Sequence, residues 1–390
     1  MHLMKSTHPF AGMLLLGIIP FGFVACSPGD QTAGKTLTLL VGAYTEAGPA
    51  HGLPGEGIYL YTFDTTNGKL SPVSSRNGIR NPSYLAVHPN RSWVYAVSET
   101  NDDAKIYAFR LDATGKNLDL INAVPAEGKG PCHISLDRTG RFLFVANWGS
   151  GSVAMLPIDR TGALKNATAV DQHSGPETNG KRPTPHAHMV LPSADNNFLY
   201  CPDMGMDQTY IYQIDPKLGT LVDTQLTLPA NPGAGPRHLA FHPDRPWVYV
   251  LNELNGSLDV FSVHPESDQV AHLQTLFTFA TGNSKDAGSA DIHISKDGKY
   301  LYTSNRGKMN TITQFSLDQE TGKLQRRGVV PSGGKSPRSF TLDPSGKFLL
   351  VANQDSGTVV VFRLDPATGA LIEPGTVTPV PAPACLKFLP

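Results

Sequence analysis

The sequence predicts an all-β fold, a seven-bladed β-propeller of four-stranded antiparallel blades, on two recurring landmarks and one strand without a local partner. The first landmark is an apolar residue and Asp, followed by Gly three or four residues on. It occurs at Asp64, Asp112, Asp159, Asp215, Asp318 and Asp365, with His264 in the same role but lacking the Gly. The second opens a short apolar strand at Pro82, Pro131, Pro185, Pro236, Ala290, Pro337 and Pro383. Spacings run from 47 to 56 residues for the first landmark and from 46 to 54 for the second, so each gives seven copies independently.

Within a copy, four strand-like runs follow one another, as in SYLAVHP, WVYAVSE, KIYAFRLD and NLDLINAV. The second run is almost continuously apolar in every copy (FLFVAN, FLYCPD, WVYVLN, YLYTSN, FLLVAN), as a strand covered on both faces requires. The Asp and Gly between the third and fourth runs are hairpin turn residues. His88-Pro89 and His242-Pro243 read as turns between the first and second runs. Order at the ends completes the ring. LTLLVGAY, at Leu37–Tyr44, is a second-type strand, whereas Ala384–Phe388 is a first-type strand with no neighbour after it. The carboxyl terminus therefore supplies the innermost strand of the opening blade and removes an exposed sheet edge.

Lys5 precedes an apolar stretch from Ala11 to Ala25 that ends at Cys26. Fifteen residues interrupted by Pro20 fall short of the ~20 needed to span a bilayer, and the pattern is that of an export signal. Phe23-Val24-Ala25-Cys26 resembles a bacterial lipobox, which makes Cys26 the lipidated first mature residue; an ordinary cleaved signal with a chance Cys is the alternative. The expected division is a signal peptide over 1–25, a tether over 26–35 and a single propeller over 36–390, placed in the cell envelope or periplasm. Membrane contact is expected only through the lipid anchor. Cys132, Cys201 and Cys385 lack disulfide, haem or zinc spacing and read as buried thiols. With 32 basic against 33 acidic side chains, no nucleic-acid partner is expected. Neither a cofactor nor a metal is expected, and closed propellers need no partner, so the chain is expected to be a monomer.

In an antiparallel blade, the loop entering strand one and the loop leaving strand two share a face near the axis. The entering positions carry Asn81, His133, His186, His188, Arg237, His238, Asp291, His293 and Arg338. The leaving positions carry Tyr44, Glu99, Asn147, Trp148, Asp203, Asp207, Asn252, Glu253, Asn305, Arg306 and Gln354. Turn formation alone does not need imidazoles and guanidiniums, so this mouth suggests a site for an anionic, oxygen-rich ligand. Trp148 either stacks on a sugar ring or packs locally. His133 and His293, each amid apolar residues, suit a core position as well as a binding one.

The strings PHAHMV, GPRHLAFHP, NELNGSLDVF, ADIHISKDGKYLYTSNRG and SPRSFTLDPSGKFLLVANQDSGTVVVF resemble the seven-bladed lactonase family, which contains bacterial 6-phosphogluconolactonases and the fungal carboxymuconate cyclase. The resemblance covers essentially the whole mature chain. In the cyclase branch a His, two Arg and a Glu are the active-site residues, and the resemblance implies the same set here. By motif these fall on His188 (or its neighbour His186), Arg237, Glu253 and Arg306.

Lactone opening needs an activated water, stabilisation of the carbonyl oxygen and protonation of the leaving alkoxide. Glu253 or His188 is the expected base, with Arg237 and Arg306 binding anion and oxyanion. His133, His186, His238, His293, Arg338 and Trp148 are the expected substrate-binding residues. The expected activity is hydrolysis of a sugar-acid or related anionic lactone, in preference to muconate-type cycloisomerisation. A non-catalytic envelope propeller that binds ligands or proteins is the competing reading.

Overall fold

The computed structural model describes residues 36–46, 53–175 and 183–389; the expectations placed on residues 1–35, Cys26 among them, lie outside the described residues. It contains seven four-stranded antiparallel sheets. Blade 1 takes its innermost strand from Pro383–Phe388 and then runs outward through Thr36–Ala43, Ile58–Asp64 and Leu70–Arg76. The innermost strands of blades 2 to 7 are Leu85–Val87, Pro131–Leu136, Leu191–Pro192, Pro236–Phe241, Ser289–Ile294 and Pro337–Leu342.

Closure is a register as well as a topology. Leu39 faces Phe388, Val41 faces Leu386 and Gly42 faces Cys385 across the first and last strands of the chain. Gly42 has to be glycine here, because a Cβ would stand 2.3 Å from the Pro82 carbonyl oxygen of blade 2.

Seven hydrophobic clusters hold the ring, one at each junction of neighbouring blades. The junction of blades 7 and 1 packs Phe348, Leu350, Val359 and Val361 against Leu39, Val41, Phe63 and Leu386. The second strands of blades 3, 5 and 7 are buried from end to end because each is sandwiched between two such clusters. Polar latches supplement the packing. Tyr95, Tyr249 and Tyr302 occupy second strands and donate their hydroxyls to the carbonyls of Gly162, Gly322 and Gly369 in the next blade.

Those glycines close the hairpin turns anticipated from the Asp landmark. Asp365 accepts from the amides of Ala367 and Thr368 while Gly369 adopts φ +65°. After His264, where Gly is lacking, a short 3-10 turn over Pro265–Ser267 ends on Asp268 with φ +54°.

Two landmarks sit slightly off the structural register. Pro131, Pro236 and Pro337 pair with Asn147, Asn252 and Asn353. The equivalent residue is Ala187, opposite Asp203, in blade 4 and Ser289, opposite Asn305, in blade 6. The Pro185 landmark is therefore two residues early and the Ala290 landmark one residue late.

Candidate active site

This register arranges the channel in layers. The rim comes from residues one or two places after the second strands, including Tyr44, Glu99, Trp148, Glu253 and Arg306. Below it lies the residue that follows each partner of the last second-strand position: Cys132 after Pro131, His188 after Ala187, Arg237 after Pro236 and Arg338 after Pro337. The third layer holds Tyr84, His133, His238 and Asp291. His293 and Lys387 lie two residues deeper still, by the same equivalence.

The rim and first inner layer meet in one ionic cluster. Arg237 donates from Nη1 to His188 Nε2 at 2.5 Å and to Glu253 Oε2, while its Nε donates to the Ala290 carbonyl at 2.8 Å. Arg306 Nη2 lies 2.7 Å from Glu253 Oε1, and its Nε donates to the Gly288 carbonyl at 3.0 Å. Both oxygens of Glu253 are thus held by guanidinium groups. A second pair stands alongside, with Arg338 Nη2 3.6 Å from Glu99 Oε2 and its guanidinium 5.1 Å over the Tyr44 ring. Tyr44 and Ser83 donate their hydroxyls to the same Glu99 oxygen.

Burial would raise the Glu253 carboxyl, but Arg306 and Arg237 outweigh it and hold it at about 2. Burial, reinforced by Arg237, pushes His188 well below the ordinary histidine range and keeps it neutral. Because Arg237 can only donate, Nε2 of His188 is an acceptor and its proton sits on Nδ1, 3.8 Å from Cys132 Sγ. Burial pulls the Arg306 guanidinium down to about 10; Glu253 opposes that fall, and Arg237 and Arg338 add to it. Three guanidiniums against two carboxylates leave this cluster with one net positive charge (3 − 2 = +1), the polarity an anionic ligand requires.

His186 and His188 separate here. His188 enters the ionic cluster, whereas His186 stacks on Trp148 at the rim, with ring centroids 4.3 Å apart and Nδ1 donating to the Trp148 carbonyl. His238 lies below, bound through Nδ1 to Asp291 at 3.0 Å, and burial depresses it to about 4 despite that bond. His133 and His293 are not brought to the mouth and instead line a cavity at the other end of the channel.

Several other polar positions expected at the mouth are occupied locally. Asn147, Asn252 and Asn305 donate to carbonyls or side chains of adjoining turns. Asp207 caps the amides of Gly233 and Gly235. Asp203 binds His173, which was not anticipated and is fully enclosed between Asp203 and the Tyr212 hydroxyl. Also missed were Cys132, Ser83 and Tyr84, which line or support the site. The signal was positional: Cys132 and Ser83 each follow a strand-opening Pro, as Arg237 and Arg338 do.

Comparison with known proteins matches residues 38–388 to a family model described as lactonase, 7-bladed beta-propeller. A 6-phosphogluconolactonase of Bacillus subtilis is 31% identical over 350 residues, covering 90% of this chain and 97% of that protein. One from Formosa agariphila is 35% identical over 341 residues, covering 85% and 94%. Among solved structures, the periplasmic gluconolactonase of Pseudomonas aeruginosa superposes with a TM-score of 0.83 at 32% identity, covering 91% of this chain and 99% of that one.

Proposed function

The chain belongs to the seven-bladed β-propeller lactonase family, and from that premise we propose that its channel mouth hydrolyses a sugar-acid or related anionic lactone. The observation that carries this reading is the sharing of Arg237 Nη1 between neutral His188 and ionised Glu253, with Arg306 and Arg338 beside them.

His188 is the better base of the two candidates. Both Glu253 oxygens are engaged and its carboxyl is held at about 2, so it serves to fix Arg237 and Arg306 in place. In the proposed cycle, the lactone carbonyl oxygen draws the N–H groups of Arg237 and Arg306, which frees His188 Nε2. The imidazole takes a proton from water as the water oxygen bonds to the carbonyl carbon. The tetrahedral oxyanion, held by the guanidiniums, collapses with cleavage of the ring C–O bond. The proton then passes from His188 to the leaving alkoxide, giving the open hydroxy acid. One oxyanion donor of this kind is worth ~3 kcal/mol in other enzymes. Arg338, with a single carboxylate contact at 3.6 Å, is the cation most available to a substrate carboxylate or phosphate. Trp148 and His186 form a stacking platform for the sugar ring.

The test is acid release from glucono-lactone, its 6-phosphate and a muconolactone, corrected for spontaneous opening, by the protein and by its His188→Gln and Arg306→Ala variants. Acceleration lost in both folded variants supports the assignment. Absence of acceleration on every lactone removes it and leaves a binding propeller.

We further propose that residues 1–25 direct export, that Cys26 carries lipid, and that residues 26–35 connect it to a monomeric propeller. The pattern around Cys26 and the periplasmic description of the Pseudomonas relative support this. Replacing Cys26 with Ser should move the protein from the membrane to the soluble fraction.

A further inference from the structure

The channel also holds a cavity away from the ionic mouth. It is a funnel of about 710 Å³ at the opposite end, where the turns between first and second strands converge. Tyr84 lines both this funnel and the narrow pocket under the mouth, so it stands at the constriction between them. The two ends differ in chemistry. The mouth is crowded with guanidinium and carboxylate groups, whereas the funnel wall is mainly aliphatic and aromatic, with Leu136, Leu191, Phe241, Ile294 and Phe388 among its half-buried residues.

At the funnel floor one buried donor lacks an acceptor and one cation lacks a carboxylate partner. The Val190 amide donates to His133 Nδ1 at 3.4 Å, which places the ring proton on Nε2; that nitrogen is buried and has no hydrogen-bond partner. His133 itself is 2% exposed. Lys387 contacts the Tyr84 hydroxyl at 3.2 Å and lies over the Tyr84 ring, and no carboxylate among the described residues pairs with it. The acid facing the same space, Asp291, is already satisfied by His238, His293 and the amides of Ile292 and Phe340. A buried donor without an acceptor is costly, so a site combining one with an ammonium that has only the neutral Tyr84 hydroxyl as partner and an apolar wall is shaped for an amphipathic anion.

We propose that this funnel is a second ligand site, separate from the lactone-opening mouth, that takes a small organic carboxylate with an apolar body. The carboxylate accepts from Lys387 Nζ and His133 Nε2, and the apolar body lies against Leu191, Phe241 and Ile294. The preference for a carboxylate over free phosphate comes from the wall, which offers apolar surface that an organic body covers and a bare phosphate leaves open, even though Arg138 and Lys296 also line the cavity.

Benzoate is a suitable probe, with benzamide as its uncharged isostere and inorganic phosphate as the head group without a body. The expected result is saturable binding of benzoate by calorimetry, with a shift of the His133 Nε2–H resonance in the NMR spectrum. Benzamide and phosphate should each bind at least about tenfold more weakly, the scale of a lost charged hydrogen bond. Lys387→Met should weaken benzoate to a similar degree while leaving lactone turnover at the mouth unchanged, and benzoate should not compete with lactone. Equal affinity for benzoate and benzamide, phosphate binding as tightly as benzoate, or an unmoved His133 resonance at saturating benzoate would each overturn the proposal. So would unchanged benzoate affinity in a folded Lys387→Met protein. Should that variant fail to fold, the benzoate, benzamide and phosphate comparison on the unaltered protein decides the matter alone.

Discussion

Arg237 reaches His188 and Glu253 through the same guanidinium nitrogen, with Nη1 2.5 Å from the imidazole Nε2. Arg237 therefore acts on both neighbours at once, adding to burial in keeping the imidazole neutral and to Arg306 in keeping the carboxyl ionised.

The two neighbours should respond differently to isosteric replacement. His188→Gln removes the proposed proton acceptor, and kcat is expected to fall by roughly 10² to 10⁴-fold. Glu253→Gln leaves Arg237 and Arg306 less firmly placed, an expected loss of about a hundredfold in kcat. It also adds net positive charge to the mouth, so KM for an anionic lactone should not rise. Steady-state kinetics on both variants separates the roles; a larger loss in Glu253→Gln than in His188→Gln would reverse them.

Activity should stay level as pH falls from 8 to 6. His188 is already neutral over that range, because burial and Arg237 hold its protonation well below pH 6.5. A kcat/KM profile showing a break near 6.5 in this window would contradict the assignment.

Stability should have the opposite sensitivity. His188, His133 and His238 are buried and neutral, each with a folded-state pKa below the unfolded ~6.5. Below pH 6.5 the unfolded chain binds more protons at these positions than the folded chain, so stability falls with pH, by up to about 1.4 kcal/mol per unit for each. Glu253 and Asp291, whose folded-state pKa values are depressed, add a further loss as pH drops through the ordinary carboxyl range. Thermal unfolding from pH 7.5 to 4.5 should show a Tm that declines from about pH 6.5.

Ring closure can be measured at Leu386, which is 2% exposed in the cluster joining blades 7 and 1. Leu386→Ala should cost roughly 2–4 kcal/mol in denaturant unfolding. Val377, on the outer strand of blade 7, is 55% exposed, and its replacement by Ala should stay within about 0.5 kcal/mol.

The interblade latch offers a smaller effect. Tyr249→Phe keeps the ring but leaves the Gly322 carbonyl without its donor, an expected cost of about 1–2 kcal/mol. Calorimetry of the variant checks it.

The blades were legible because the second strands are almost continuously apolar and the Asp-to-Gly turns recur at the end of the third. Closure was legible because Ala384–Phe388 had no partner nearby in sequence. Register was harder. The innermost strands of blades 3, 5, 6 and 7 shift register next to the mouth, and blade 4 pairs there only at Ala187. One displaced residue changes which side chain faces the axis. Spacing therefore could not choose between His186 and His188, which lie on either side of Ala187, nor show that His293 sits several residues below Arg237. Lys387 escaped notice because a lone Lys in a closing strand resembles an edge charge until its depth is known.

The register of blade 1 also fixes a direction. Thr36 pairs with Asp64 at the hairpin end of the blade, whereas Ala43, at the other end of the same strand, precedes rim residue Tyr44. The described chain thus starts on the face opposite the mouth. Protein immobilised on a support through a linker joined at Thr36 would present its ionic mouth to the bulk solution and turn the funnel of Lys387 towards the support.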